Sequence, residues 1–147
     1  MVKPKRILVP TDFSQHSARA YQRALDVAKS SGAEIVLFHV IDQDIPACTK
    51  EYCLEEEEVT RQEKTLLEGA KKRLQKEIET FPVSDLKVST VVREGVPYEE
   101  ILKYQDLNDV DLIVIASHGR SAVAKYFLGS VSSNVLKGAK CEVLLVK

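Results

Sequence analysis

Asp111-Leu112-Ile113-Val114-Ile115-Ala116-Ser117-His118-Gly119-Arg120 decides how this chain folds. The run to Ala116 is nearly all apolar and rich in β-branched residues, the pattern of a parallel strand covered on both faces. It is far too short to cross a bilayer, which takes about 20 apolar residues. A polar turn with one glycine follows it immediately. A strand of this kind requires helices above and below its sheet, and the rest of the chain supplies them.

Working outward, Arg6-Ile7-Leu8-Val9-Pro10 is a second such run, and Glu34 to Ile41 a third. Lys87 to Val92 and Glu142 to Val146 complete five predicted strands. Helical periodicity fills the intervals. Ser14 to Ser30 carries Ala18, Tyr21, Leu25 and Ala28 on one stripe, with Ser14 as N-cap and Gly32 as the stop. Glu55 to Thr80 reads as a long charged helix, its glutamates early and Lys71, Lys72, Arg73 and Lys76 late, in the sense that suits the helix dipole. Gly95-Val96-Pro97 turns into a helix over 98–107, and a last helix covers 130–137. Asp42 to Tyr52 reads as a loop. The predicted fold is α/β: a single doubly wound domain over residues 1–147, with a five-stranded, mainly parallel sheet and helices on both faces.

Composition narrows the function classes. The chain has 147 residues, 44% apolar and 29% charged, ordinary for one globular domain. Its 21 basic and 22 acidic residues leave a net charge of −1 and no electrostatic footprint for nucleic acid or an anionic membrane. The start, Lys3-Pro4-Lys5-Arg6, is not followed by the apolar stretch of a secretory signal. Three cysteines, an odd number, fit reduced thiols in a cytoplasmic protein. Cys48 and Cys53 lack the tight spacing and the second pair of a zinc site.

In doubly wound sheets, ligands bind outside the carboxyl ends of strands where the winding reverses. The least generic residues of this chain leave the first and fourth strands: Pro10-Thr11-Asp12, and Ser117-His118-Gly119-Arg120. Gly129-Ser130 then opens the last helix. Asp12 can accept hydrogen bonds from ribose hydroxyls or an adenine amine. Gly119 and Gly129 let backbone amides approach phosphate oxygens, and Ser130 lies where a helix N-terminus offers free amides. Each residue also has a plain structural reading: Gly129 as a turn glycine, Ser130 as an N-cap, Asp12 as a cap for the helix near Ser14. Their joint placement at two strand ends favours an adenine-nucleotide crevice.

Other nucleotide and hydrolase signatures are missing. No lysine follows Gly129 as a P-loop needs, and the turn after the first strand has no glycine for a dinucleotide fingerprint. There is no Gly-x-Ser-x-Gly elbow. His118 is the best-placed candidate base, and His16 and His39 read as structural.

The chain resembles the universal stress protein family over essentially its whole length. The resemblance rests on residues 7–14, His39-Val40, Gly95-Val96-Pro97 and the stretch from Ala116 to Lys147. ATP-binding members carry a glycine, two residues, a second glycine, nine residues, then glycine followed by Ser or Thr. Here Gly119 is the second glycine, 120–128 are the nine, and Gly129-Ser130 close the motif, while Ala116 stands where the first glycine would be. That extra methyl predicts weaker binding than the full pattern would give.

The resemblance implies a Rossmann-like fold of the adenine nucleotide alpha hydrolase type and ATP, with or without Mg, as ligand. It implies Asp12 and Val40 at the adenosine, walled by Pro10 and Thr11. Gly119, Arg120, Gly129, Ser130 and Val131 would surround the phosphates, with Ala116, Ser117 and His118 completing the turn. It further implies a homodimer paired through the C-terminal strand. A nucleotide-free interaction protein and a slow ATPase using His118 or Asp12 with a divalent metal remain as alternatives.

Overall fold

The computed structural model describes residues 3–42, 56–119 and 128–147. Arg120, Cys48, Cys53 and all of the predicted 42–52 loop except Asp42 lie outside the described residues. Five strands, β1 (Arg6–Pro10), β2 (Glu34–Asp42), β3 (Val88–Gly95), β4 (Leu112–Ala116) and β5 (Glu142–Val146), form one sheet in the order β3-β2-β1-β4-β5. Every pairing is parallel, so the sheet is wholly rather than mainly parallel. Between the strands run α1 (Gln15–Ser31), α2 (Glu56–Thr80), α3 (Pro97–Leu107) and α4 (Ser130–Gly138).

Strand alternation explains the layering. Side chains point to opposite faces at successive positions, and each face here feeds a separate core. Ile7 and Val9 of β1, Ile35 and Leu37 of β2, and Leu112, Val114 and Ala116 of β4 pack with Tyr21, Ala24 and Leu25 of α1 and Leu74 of α2. The intervening Leu8, Val36, Phe38, Ile113 and Ile115 pack with Ile101 of α3 and Val135 of α4. The winding therefore reverses between β1 and β4, which are direct neighbours.

Local signals set the helix boundaries. The Ser14 hydroxyl accepts from the Ser17 amide at the start of α1, and Gly32 closes the helix at φ 74°. That left-handed conformation is the one glycine adopts without a Cβ penalty. α3 starts one residue earlier than its periodicity suggested, because Pro97 takes the first helical position, where its missing N–H costs nothing. β3 runs on to Gly95, beyond the apolar run that ended at Val92, since its backbone stays in register with β2 as far as Asp42. The last turn of α2 holds no basic residue, so the dipole complementarity expected there is weaker than the sequence order implied. α2 also carries Gly69 in its interior, which costs about 0.8–1.0 kcal/mol relative to alanine.

No helix among the described residues is long and apolar enough to cross a membrane. Ile113 is fully buried between β1 and the α3–α4 layer, so Ile113→Ala should destabilise by about 2–5 kcal/mol. Leu107→Ala, at a position 71% exposed, should stay within about 0.5 kcal/mol. Urea unfolding midpoints of the two variants check both values, and equal midpoints would contradict the assigned layers.

Candidate functional site

The turn leaving β1 is built by three side-chain bonds. Thr11, 5% exposed, follows Ile7 and Val9 in the alternation and points toward α1 and α2. Its hydroxyl oxygen lies 2.9 Å from the Ser17 hydroxyl, accepts from the Phe13 amide at 3.1 Å and donates to Glu77 Oε2 at 3.3 Å. Thr11 is thus a tie between β1, α1 and α2 through its side chain. Asp12 accepts the Ser14 amide at Oδ1, 3.0 Å away, the short local bond that makes an Asx turn. Phe13 then adopts φ 65°, a left-handed conformation that costs a non-glycine residue about 1–2 kcal/mol. Its ring is held between His39, 4.4 Å centroid to centroid, and the Arg73 guanidinium, 4.2 Å from the ring centre. His39 in turn donates through Nδ1 to the Thr11 carbonyl at 2.8 Å.

The turn leaving β4 meets this one. A Cβ on Gly119 would stand 2.8 Å from Asp12 Oδ2, so only glycine lets the two turns approach this closely. The Gly129 amide donates to the Ser117 carbonyl at 2.9 Å, and a Cβ on Gly129 would be 3.3 Å from that same oxygen. Ser132 donates to the Ala116 carbonyl at 2.5 Å, fastening the first turn of α4 to the end of β4. Gly129 is the N-cap of α4, with φ −59° and no side-chain capping bond, and Ser130 is the first helical residue rather than the cap. The first amides of α4 are therefore not claimed by a capping side chain, and they lie next to the Asp12–Gly119 contact through Gly129.

The sequence-derived residues take distinct positions in this geometry. Pro10 is buried at the end of β1. Ala116 is 6% exposed and belongs to the core under α1, so its methyl group is spent on packing. Ser117 is buried, and its hydroxyl lies 2.8 Å from His118 Nδ1. His118 Nε2 is buried without a hydrogen-bond partner among the described residues. Val131 and Val40 are half-buried against the α3–α4 core. His16 lies 6.0 Å from His118, ring to ring.

A cavity of about 470 Å³ opens beside Asp12 and Val40, at the ends of β1 and β2. Its other walls include Phe13, His39 and Asp42, together with Thr65, Leu66, Gly69, Ala70 and Arg73 of α2. The contribution of α2 is absent from the sequence reading, which treats that helix only as a long charged one. One signal was available: Leu66, Gly69, Ala70 and Arg73 recur at helical spacing on a single face. Among the described residues, no three His, Cys, Asp or Glu side chains gather in a way that could hold a metal ion.

Behind the cavity, Glu77 links α2 to the β1 turn. Burial raises its carboxyl above the usual range, the Thr11 hydrogen bond opposes that, the Asp12 charge adds to it, and Arg73 opposes it. Tyr21 is pushed up to about 12, first by burial and then by Glu77. Glu77 Oε1 and the Tyr21 hydroxyl both lack partners among the described residues. A carboxyl whose pKa is higher folded than unfolded binds more protons in the folded state, so its contribution to stability falls as pH rises from about 4.5 through the folded value. Glu77→Gln, which can still accept from Thr11, should therefore raise the melting temperature at pH 7, with the gain vanishing below about pH 4.5. Thermal melts across that range check it; a pH-independent difference would refute the buried-carboxylate account.

The family model described as "Universal stress protein family" matches residues 3–147. A universal stress protein of Methanocaldococcus jannaschii is 33% identical over 147 residues, covering 97% of this chain and 82% of its own length. The solved structure of another protein of that archaeon, also named a universal stress protein, superposes with a TM-score of 0.84 at 33% identity. It covers 99% of this chain and 97% of the other. A universal stress protein solved in complex with cAMP shares the fold, with a TM-score of 0.64 at 23% identity over 99% of this chain and 98% of its own. This chain belongs to the universal stress protein family.

Proposed function

We propose that this protein binds an adenine nucleotide, ATP in the first place, where the turns leaving β1 and β4 meet. The adenosine lies in the cavity beside Asp12 and Val40, and the phosphates lie against Gly119, Gly129, Ser130 and Val131 at the start of α4. The observation that carries this reading is the close approach of the β1 turn to the two glycines that follow β4. Gly119 has room only for a hydrogen beside Asp12 Oδ2, and the Gly129 amide bonds the carbonyl of Ser117, two residues before Gly119. An uncapped helix start next to that point supplies amide donors and positive dipole for an anion. Ala116 fits the reading because its methyl is taken up by the core rather than left at the turn. A fold neighbour solved with cAMP adds support at the level of the fold.

In this reading Asp12 accepts from hydroxyl or amine groups of the nucleoside, and the α4 amides take phosphate charge. A magnesium ion would be carried by the phosphates, and Arg120 would border them. The protein acts in the cytoplasm as a regulator whose surface, or whose dimer through β5, changes with nucleotide occupancy. β5 pairs with β4 on one side only, which leaves an edge for a second copy. Signalling of this kind needs different nucleotide affinities in two conformations. His118, with Nε2 unpartnered among the described residues, is the side chain to replace when hydrolysis is assayed.

Calorimetric titration of nucleotide-stripped protein with Mg-ATP tests the proposal. Saturable binding is expected in the wild type. Asp12→Ala and Gly129→Val should each weaken it at least tenfold, about 1.4 kcal/mol or more. Ligand at 100 times its Kd should also stabilise the fold by about 2.7 kcal/mol. Absence of both heat and thermal stabilisation would overturn nucleotide binding and turn attention to protein partners.

A further inference from the structure

Gly69 occupies a position that a helix disfavours, inside a helix running Glu56–Thr80. Packing does not explain it. A Cβ built on Gly69 meets no atom within 4 Å, whereas one on Gly138 would fall 2.6 Å from Leu102 Cδ1. At Gly138 a side chain would have to displace the end of Leu102; at Gly69 no described neighbour stands in the way. Gly69 instead faces the cavity of about 470 Å³, on the same helical face as Leu66, Ala70 and Arg73.

We infer that this face of α2 is a third wall of the nucleotide site and that Gly69 is a specificity-determining residue, keeping room for the purine base. The inference rests on the nucleotide reading above and adds to it the helix that limits the size of the base. Val40, Ile41 and Leu66 offer apolar surface to the faces of a planar ring. The Arg73 guanidinium on the same wall is 4.2 Å from the Phe13 ring centre and packs against that aromatic face.

The test compares Mg-ATP binding and melting temperature in the wild type, Gly69→Phe, Gly69→Ala, Lys71→Phe and Asp12→Ala. Lys71 is exposed, two residues on from Gly69 and so on the far side of α2 from it, and controls for placing an aromatic ring on the helix. Gly69→Phe should melt within a few degrees of the wild type yet bind at least about tenfold more weakly. Gly69→Ala should melt higher and keep its Kd within about threefold, and Lys71→Phe should bind as the wild type does. Should Gly69→Phe fail to fold, Gly69→Met carries the same expectation. Wild-type affinity in a folded Gly69→Phe, with binding lost in Asp12→Ala, would overturn the α2 wall and leave the nucleotide reading standing. No binding by the wild type would overturn both.

Discussion

From Ile7 to Pro10, β1 is buried on both faces, so it can exist only between two other strands and beneath helices on each side. The rest of the architecture depends on that requirement. With β2 on one side and β4 on the other, the chain must wind outward in two directions from the centre. The loops leaving β1 and β4 then diverge to opposite layers, and a gap opens between them at the carboxyl ends. Asp12 and Gly119 meet there, with Gly129 packed beside Gly119. Thr11 secures the arrangement from below by bonding to α1 and α2 together.

The arrangement sorts chemistry by position. Carboxylates from the ends of β1 and β2, the Arg73 guanidinium and apolar side chains of α2 border the cavity, while helix-start amides lie beyond Gly129. Phe13 sits at the hinge of this arrangement in a disfavoured backbone conformation, held between His39 and Arg73. That packing ties the β1 turn to α2, so the wall carrying Gly69 and the turn carrying Asp12 are mechanically one piece.

Much of this was legible in the sequence, for local reasons. Runs such as Ile113 to Ala116 and the Ser14 and Gly32 signals act through neighbouring residues, and they placed strands and helix ends to within a few positions. Strand order depends on contacts between distant segments, and periodicity carries no trace of it; only the general habit of doubly wound sheets, with the first strand central beside a later one, points to the order found. Thr11, which the resemblance sets in the wall of the ligand site, turns its side chain toward the core by the alternation through Ile7 and Val9. The Ala116 methyl, set by the sequence against nucleotide affinity, shares its face with Leu112 and Val114 and packs beneath α1. Charges dominate the composition of α2, and the five residues facing the cavity are hidden among them.

Backbone amide spectra recorded while Mg-ATP is added test the central claim most directly. The account predicts that the amides of Gly119, Gly129, Ser130 and Val131 shift together with those of Asp12 and Val40, and saturate at one common concentration. Shifts absent from both glycine turns, or confined to the β3 edge on the far side of the sheet, would contradict it.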